Sequence, residues 1–411
     1  MNSLLNKSTG GSFRIDGLPR YVLGEIARAV IEGRSAGQEI IDLSQINPGS
    51  GVPGAALDRL VQSALRPHSH QYSSSQGIRK LRETCAEWYE RDFGVKLDPG
   101  AQIAATMGIK EGLGHLLLAT ARPGDTVVLP TPSYPVHSAA VSIASAGMVG
   151  VSLFDQPLDS LSPTLDENSS GFFERLEQAC DRTWPRPHAV IVSFPHNPTA
   201  AVVTPGFFER LIRTAERHDI FVIHDFAYAD LFLDDYRPPS ILSAPGAMER
   251  AVEFRSLSKS HGLAGWRIGF CAGNARLIDA LKRLKSYLDF GIFQPLQLGA
   301  VEAILDQEFV EEVRSNYASR RDVIVGGLRE IGWELESPKA GVFVWARLPE
   351  SLRQHGSLEA SRIMLAEAGV AVCPGEGFDP SMQEFVRFSL GVPEAKLRKA
   401  VENLARLGEL Q

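Results

Sequence analysis

The sequence predicts an α/β protein: a large domain built on a mostly parallel sheet with helices on both faces, and a smaller α+β domain. Three observations predict it. From about residue 100 onward, short apolar runs alternate with amphipathic stretches of helical spacing, which is the pattern of strands buried on both faces by crossover helices. After about residue 295 that alternation gives way to long helical stretches and two isolated strand-like runs. The chain of 411 residues is 44% apolar and 22% charged, the balance of a globular protein long enough for two or three domains.

The elements follow in order. "QIAATM" (102–107) reads as a strand and "KEGLGHLLLATA" (110–121) as a helix. "DTVVLP" (125–130), "YPVHSAAVSIASAG" (134–147) and "MVGVSLF" (148–154) read as strand, helix and strand. The Ser/Asp/Pro-rich "FDQPLDSLSPTLDENSSG" (154–171) is the clearest loop. Helix "GFFERLEQACDR", strand "HAVIVSF", helix "TPGFFERLIRTAERH" and strand "DIFVIHDF" come next. Strands "RAVEFRSL" and "RIGFCAG" flank "SLSKSHGLAGWR" (256–267). The long helices are "ARLIDALKRLKSYLDF" and "DQEFVEEVRSNYASRRDVIVGGLREI". "GVFVWARL" and "EFVRFSL" are strands of the smaller unit, which "PEAKLRKAVENLARLGEL" closes as a helix. The domains expected are an N-terminal arm with part of the small domain (1–45), a large domain (46–295) and a small C-terminal domain (296–411).

Composition excludes several classes of function. The net charge is −7, which offers no basic face for nucleic acid. The apolar runs are strand-length, far short of a membrane span, and "MNSLLNKSTGGSF" carries no apolar stretch before a cleavage site. Cys85, Cys180, Cys271 and Cys373 are scattered without a CxxC pair, so neither a disulfide framework nor a zinc site is expected. "HSH" (68–70) lacks companions for a metal. A reducing, cytoplasmic setting is the expectation.

In open α/β sheets, ligands sit beyond the carboxyl ends of the strands. The polar residues that fall there are Gly108 and Lys110 after "IAATM", Tyr134 after "VVLP", Asn197 after "AVIVSF", Asp225 after "FVIH", and Ser256, Ser258 and Lys259 after "VEFRSL". A lysine amine can form an imine with an aldehyde cofactor and, once displaced, act as a base. A buried carboxylate such as Asp225 would keep a pyridine nitrogen protonated.

The series Asn197, Asp225-x-x-Tyr228, Ser256-x-Ser258-Lys259 and Arg267 resembles, in identity and spacing, the class I/II aminotransferases, pyridoxal-phosphate enzymes of fold type I. The resemblance runs from "RIDGLPRYV" to "EFVRFSL" and is strongest to the bacterial alanine (glutamate–pyruvate) aminotransferase group, through "HSHQYSSSQGIRKLR", "KEGLGHLLLAT", "PSYPVH", "HDFAYAD" and "AGWRIGF". It implies pyridoxal 5'-phosphate held on Lys259 as a Schiff base, with Asp225 at the ring nitrogen and His137 orienting it. Asn197 and Tyr228 would bond the ring hydroxyl and Tyr134 would stack on the ring. Gly108, Ile109 and Lys110 at a helix N-terminus would take the phosphate with Ser256, Ser258 and Arg267. Tyr72 matches a tyrosine that reaches the phosphate from a partner subunit, which implies a homodimer with shared sites. Arg387 matches the arginine that grips the substrate α-carboxylate.

The substrate side departs from that pattern. Ile46 stands where the family usually has a glycine, and Ile109 where it has serine or threonine. His261 and Gly262 in "HGLAGW" are new, Glu376 replaces an apolar residue, and Arg20 replaces a proline. Ile46, His261 and Glu376 therefore join Arg387 and Asn197 as expected substrate-binding residues. The leading expectation is transamination between an L-α-amino acid and a 2-oxo acid. The alternative is β- or γ-elimination or replacement, carbon–carbon bond formation included, on a large methionine or S-adenosylmethionine type substrate, with His261 as the added acid/base group. A cofactor-binding domain without catalysis is a remote third.

Overall fold

Seven strands form the main sheet of the computed structural model, which describes residue 18 and residues 21–49, 51–155, 161 and 163–409. Residues 1–17 of the expected arm, Arg20 and part of the 154–171 loop lie outside the described residues. The strands are β1 (Ile103–Thr106), β2 (Thr126–Thr131), β3 (Gly147–Ser152), β4 (Ala189–Ser193), β5 (Phe221–Asp225), β6 (Ala251–Ser256) and β7 (Gly269–Gly273). Their order across the sheet is β1-β7-β6-β5-β4-β2-β3. β3, β2, β4, β5 and β6 pair in parallel. β4 and β7 are buried along their whole length, which is why they read as continuous apolar runs rather than alternating ones; β6 is equally buried but carries Glu253 and Arg255 inside.

β7 departs from the parallel pattern, pairing antiparallel with β6 on one side and β1 on the other. The cause is the connection. Residues 257–268 hold only a short 3-10 turn between β6 and β7, whereas a parallel return usually runs through a crossover helix. β1 therefore runs in the same sense as β6, and its carboxyl end opens on the same edge of the sheet. The 154–171 stretch holds a short strand, Thr164–Leu165, paired with Val202–Val203, so it is less of a plain loop than its composition suggests.

The helices fall where the periodicity places them: α1 (Ile109–Thr120), α2 (Pro135–Ile143), α3 (Ser170–Arg182), α4 (Pro205–His218) and α5 (Ala275–Leu288). Gln294–Leu305 is a further helix, buried through Gly299, Ala300, Val301 and Ala303 on several sides, so its sequence has no one-sided stripe to find. It packs in the same apolar core as Leu81 and Trp88 of helix Arg79–Phe93. The following helix, α6 (Gln307–Glu330), enters a second core through Val313, Tyr317 and Ile324. The two apolar cores thus meet at the junction of these two helices.

The second core lies under a four-stranded antiparallel sheet in the order β8-β9-β11-β10: β8 (Glu334–Leu335), β9 (Phe343–Arg347), β10 (Cys373–Pro374) and β11 (Phe385–Ser389). Ile41–Asp42 pairs in parallel with Val370–Ala371, which ties the segment before residue 46 to this smaller unit. Tyr228, Leu231 and Leu233, from the turn after β5, join the same core. That turn brings the ends of the large sheet against β9 and β11.

Candidate active site

The strand ends converge on a cavity of about 470 Å³. At one end, α1 begins at Ile109 with Gly108 as its cap, at φ +76°. The positive φ favours glycine, and a Cβ there, 2.4 Å from Arg267 Nη2, would push the guanidinium aside. Arg267, itself at φ +55°, donates through Nη1 to Ala264 O at 3.0 Å and to Ser258 Oγ at 3.4 Å. Ser256 Oγ donates to Ser258 Oγ at 2.9 Å. A helix N-terminus, two hydroxyls and a guanidinium thus face one point, the donor set an anion needs.

On the floor, Asp225 ends β5, is buried, and accepts from His137 Nε2 at 2.9 Å and from the Ala227 N–H at 3.2 Å. His137 sits one turn into α2, and its Nδ1 lies 3.3 Å from Ser133 Oγ. Tyr134 caps that helix, its ring edge-on to His137, and burial followed by the neighbouring Tyr21 pushes its hydroxyl pKa up. Burial likewise raises Tyr228, which packs edge-on to Phe343.

Two cations complete the cavity. Lys259 Nζ donates to Ile46 O at 3.0 Å and meets no carboxylate among the described residues. Burial, then the charges of Arg387, Arg267 and Lys110, lower its pKa to about 8. Arg387, 2% exposed, donates to Asn197 Oδ1 at 2.6 Å and to Ser44 O at 2.8 Å, and its guanidinium lies 3.9 Å from the Phe343 ring centroid. Its Nε has no partner among the described residues.

Of the residues expected from sequence, Ile46, Ile109, Lys110, Tyr134, Asn197, Asp225, Tyr228, Ser256, Ser258, Lys259, Arg267 and Arg387 line this one cavity, with Gly108 and His137 directly behind it. His261 and Glu376 do not. His261 is fully buried on the edge of Trp88, with Nδ1 2.8 Å from Ser260 Oγ, and burial lowers its pKa to about 4. Glu376 accepts from Ser357 Oγ and the Leu358 N–H at the start of helix Gly356–Ala368, where a carboxylate steadies a helix N-terminus. Tyr72 also stands away from its own chain's cavity, 91% exposed and edge-on to Phe290.

Sequence reading missed the support behind the phosphate-sized end. Glu111 accepts the Met107 N–H at 2.6 Å and so fixes the turn that presents Gly108. Fully buried Lys285 donates to Glu111 Oε1 at 2.8 Å and to Asp289 Oδ2 at 2.6 Å. The signal was available, since Lys285 continues the buried stripe Leu277, Ile278, Leu281 of α5, a charge in an apolar row. Tyr21, Leu23 and Gln45 of the lining were also missed.

These residues fit pyridoxal phosphate: an anion cradle that a Cβ would fill, a lysine of lowered pKa, and a buried carboxylate held by a histidine. The fold and this lysine-centred cavity define an α/β pyridoxal-phosphate enzyme. The family Aminotransferase class I and II matches residues 38–404. Glutamate-pyruvate aminotransferase AlaC of Escherichia coli is 43% identical, over 95% of this chain and 92% of its own. An LL-diaminopimelate aminotransferase of Nitratidesulfovibrio vulgaris (strain Hildenborough) is 38% identical, over 96% and 98%. The solved N-succinyldiaminopimelate aminotransferase of Mycobacterium tuberculosis superposes with a TM-score of 0.87 at 28% identity, over 97% and 100%. The chain belongs to the class I and II aminotransferase family and is a pyridoxal-phosphate-dependent enzyme acting on an amino-acid-type substrate.

Proposed function

We propose that the enzyme transfers the amino group of an L-α-amino acid to a 2-oxo acid, with Lys259 as Schiff-base lysine and proton carrier. One observation carries the reading: half-buried Lys259 and buried Arg387 are cations facing a single cavity, neither with a carboxylate partner among the described residues. Pyridoxal phosphate, when bound, supplies an aldehyde for amine capture and a ring that delocalises charge from the substrate α-carbon.

The residues do the rest. Lys259, at about 8, has a useful fraction of neutral amine near neutral pH; it would hold the cofactor through its amine and, when free, would carry a proton from the substrate α-carbon. Asp225, oriented by His137, would keep the ring nitrogen protonated. Asn197 and Tyr228 would bond the ring hydroxyl, and Tyr134 would cover the ring. Ser256, Ser258, Arg267 and the N–H groups at Ile109 and Lys110 would hold the phosphate. Arg387 binds the α-carboxylate, a partner that also answers its free Nε. The β-branched Ile46 and Ile109 narrow the walls. Lys110, 5.4 Å from the Tyr21 ring centroid and 5.9 Å from that of Tyr134, is a further cation in the lining and suits a donor with a second carboxylate, such as glutamate. The name of the Escherichia coli relative supports the same choice.

A homodimer is part of the proposal. Tyr72, Tyr287, Leu288, Phe290 and Phe293 are exposed, and Tyr72 packs on Phe290 as His70 does on Phe293, a continuous apolar strip suited to a second copy. All four cysteines are free and buried, which supports a reducing, cytoplasmic setting, and among the described residues no helix is long and apolar enough to cross a membrane. His261, the added acid/base group that elimination or replacement called on, stands outside the cavity, as does Glu376, which favours transamination. A single turnover of the holoenzyme with alanine, glutamate, methionine or S-adenosylmethionine tests the reading. One oxo acid per amine-form cofactor is the expected result; loss of a side-chain fragment with return of the aldehyde form would overturn it.

A further inference from the structure

A second cavity, of about 570 Å³, lies where the turn after β5 meets the end of helix Arg79–Phe93, the start of α4 and the first turns of α6. It shares no lining residue with the Lys259 cavity. Its walls are apolar, through Phe93, Phe208, Pro238, Pro239 and Val310. Its cations are Arg237 and Arg314, whose guanidiniums lie 3.8 and 4.1 Å from the centroid of the same Phe232 ring. Arg237 has no carboxylate partner among the described residues. Among the described residues Arg314 forms an ion pair only with the largely exposed Glu311, a contact of the kind that contributes little and that a better-placed anion displaces; the cavity's carboxylates, Asp92, Glu209 and Asp230, make no ion pair with it. Burial and then the Arg237 charge lower the Arg314 pKa, so the two cations repel each other around Phe232.

The cavity also reaches the catalytic segment. Asp230 lines it and accepts from Ser260 Oγ at 3.0 Å, next in the chain to Lys259. The other Asp230 oxygen accepts from Arg255, which is buried on the face of Trp88 and has its Nε and Nη1 without partners. Ser260 Oγ is shared with His261. A shift of Asp230 therefore has a direct route to the Lys259 backbone; the other carboxylates acting on Arg255 are Asp92, at 3.6 Å, and Glu253.

We propose that this cavity binds a small carboxylic acid with an apolar body, and that Asp230 and Ser260 transmit its binding to Lys259. The carboxylate lies between Arg237 and Arg314; the body covers Phe93, Phe208 and the Pro238–Pro239 turn. Amino acids and 2-oxo acids share that chemistry, and an ammonium group would in addition meet Asp92 and Asp230. The binding half holds whichever reaction the enzyme performs.

The test uses borohydride-reduced holoenzyme, whose cofactor stays attached, titrated calorimetrically with phenylacetate, an acid with neither amino nor oxo group. Saturable binding is expected, weakened about tenfold or more by Arg237→Ala with Arg314→Ala, by the surface charge reversal Arg237→Glu, and by replacing the acid with 2-phenylethanol. Arg387→Ala should leave it unchanged. Phenylalanine binding more tightly than phenylpyruvate assigns the site to amino acids, and the reverse order to oxo acids. Absence of saturable binding, binding indifferent to the Arg237 and Arg314 changes, or loss in Arg387→Ala would overturn the site. On unreduced holoenzyme, phenylacetate should move the pH midpoint of the cofactor absorbance, and Asp230→Asn or Ser260→Ala should remove that shift while binding persists. An unmoved midpoint at saturating phenylacetate would overturn the transmission.

Discussion

Lys259 lines the cavity half-buried and Lys285 is fully buried, and their surroundings are opposite. Lys285 lies between two carboxylates, Glu111 and Asp289, at 2.8 and 2.6 Å. Burial pushes the Glu111 carboxyl up, but the hydrogen bond from His115 and the Lys285 ammonium outweigh it and hold the group at about 2. Lys259 has a carbonyl oxygen for a partner and three other cations nearby, and its pKa falls to about 8. A buried ammonium with carboxylates is a strut, costly to break; one without them is a poor ion and a good amine. The difference lies in the neighbours that the fold brings up, not in the residue.

The largest effect that separates the two lysines is on turnover. Lys259→Ala should lower kcat by roughly 10²–10⁴-fold or more, the range for a lost acid–base group, whereas Lys285→Met should leave the chemical step within an order of magnitude. Lys285→Met should instead cost up to about 3 kcal/mol of stability, since it leaves two half-buried carboxylates with His115 as their remaining partner, and should weaken cofactor binding because Glu111 no longer fixes the Met107 turn. Thermal unfolding and cofactor dissociation read both, and Lys285→Arg should recover part of each. Wild-type cofactor affinity in Lys285→Met would remove the positioning role.

Arg387→Ala comes next. It should lower kcat/KM for amino acids by about 2–5 kcal/mol, mostly through KM, and should raise the pKa of Lys259, because Arg387 is the foremost charge depressing it. A pH titration of the variant sharpens the comparison, and an unshifted midpoint would contradict that electrostatic account. In the wild type, the rate of cofactor capture by apoenzyme should climb about tenfold per pH unit below about 8 and level off above it, since the neutral amine is the reactive form. Stability carries the matching sign. A lysine at about 8 when folded and 10.5 when unfolded adds stability as pH rises from 8 toward 10.5, whereas Glu111, lowered from 4.5 to about 2, contributes above 4.5 and is lost as pH falls toward 2. The smallest effect on activity is expected from His261→Ala, whose kcat/KM should stay within about threefold of the parent while stability drops; a large kcat defect would restore a catalytic role.

Much of the cofactor end was legible because strand ends can be counted: a polar residue just past an apolar run in an alternating α/β pattern must sit at the sheet's edge. Direction was not legible. His261 follows Lys259 by two positions, yet Gly262 at φ +66°, against Gly51 O where a Cβ would lie 2.1 Å away, turns the chain so that the imidazole packs on Trp88. The antiparallel run of β7 hinged on the lack of a crossover helix in the Lys259 loop, and helix Gln294–Leu305 escaped because burial on several sides erases periodicity. Glu111 and Lys285 are 174 positions apart, and only the packing of α5 on α1 joins them.

The most direct test of the account is to reduce the holoenzyme with borohydride, digest it and map the cofactor's added mass. The account predicts one modified peptide, carrying the mass on Lys259, with the Lys285 peptide unmodified at every pH below about 8. Mass on Lys285, or on any lysine other than Lys259, would contradict it.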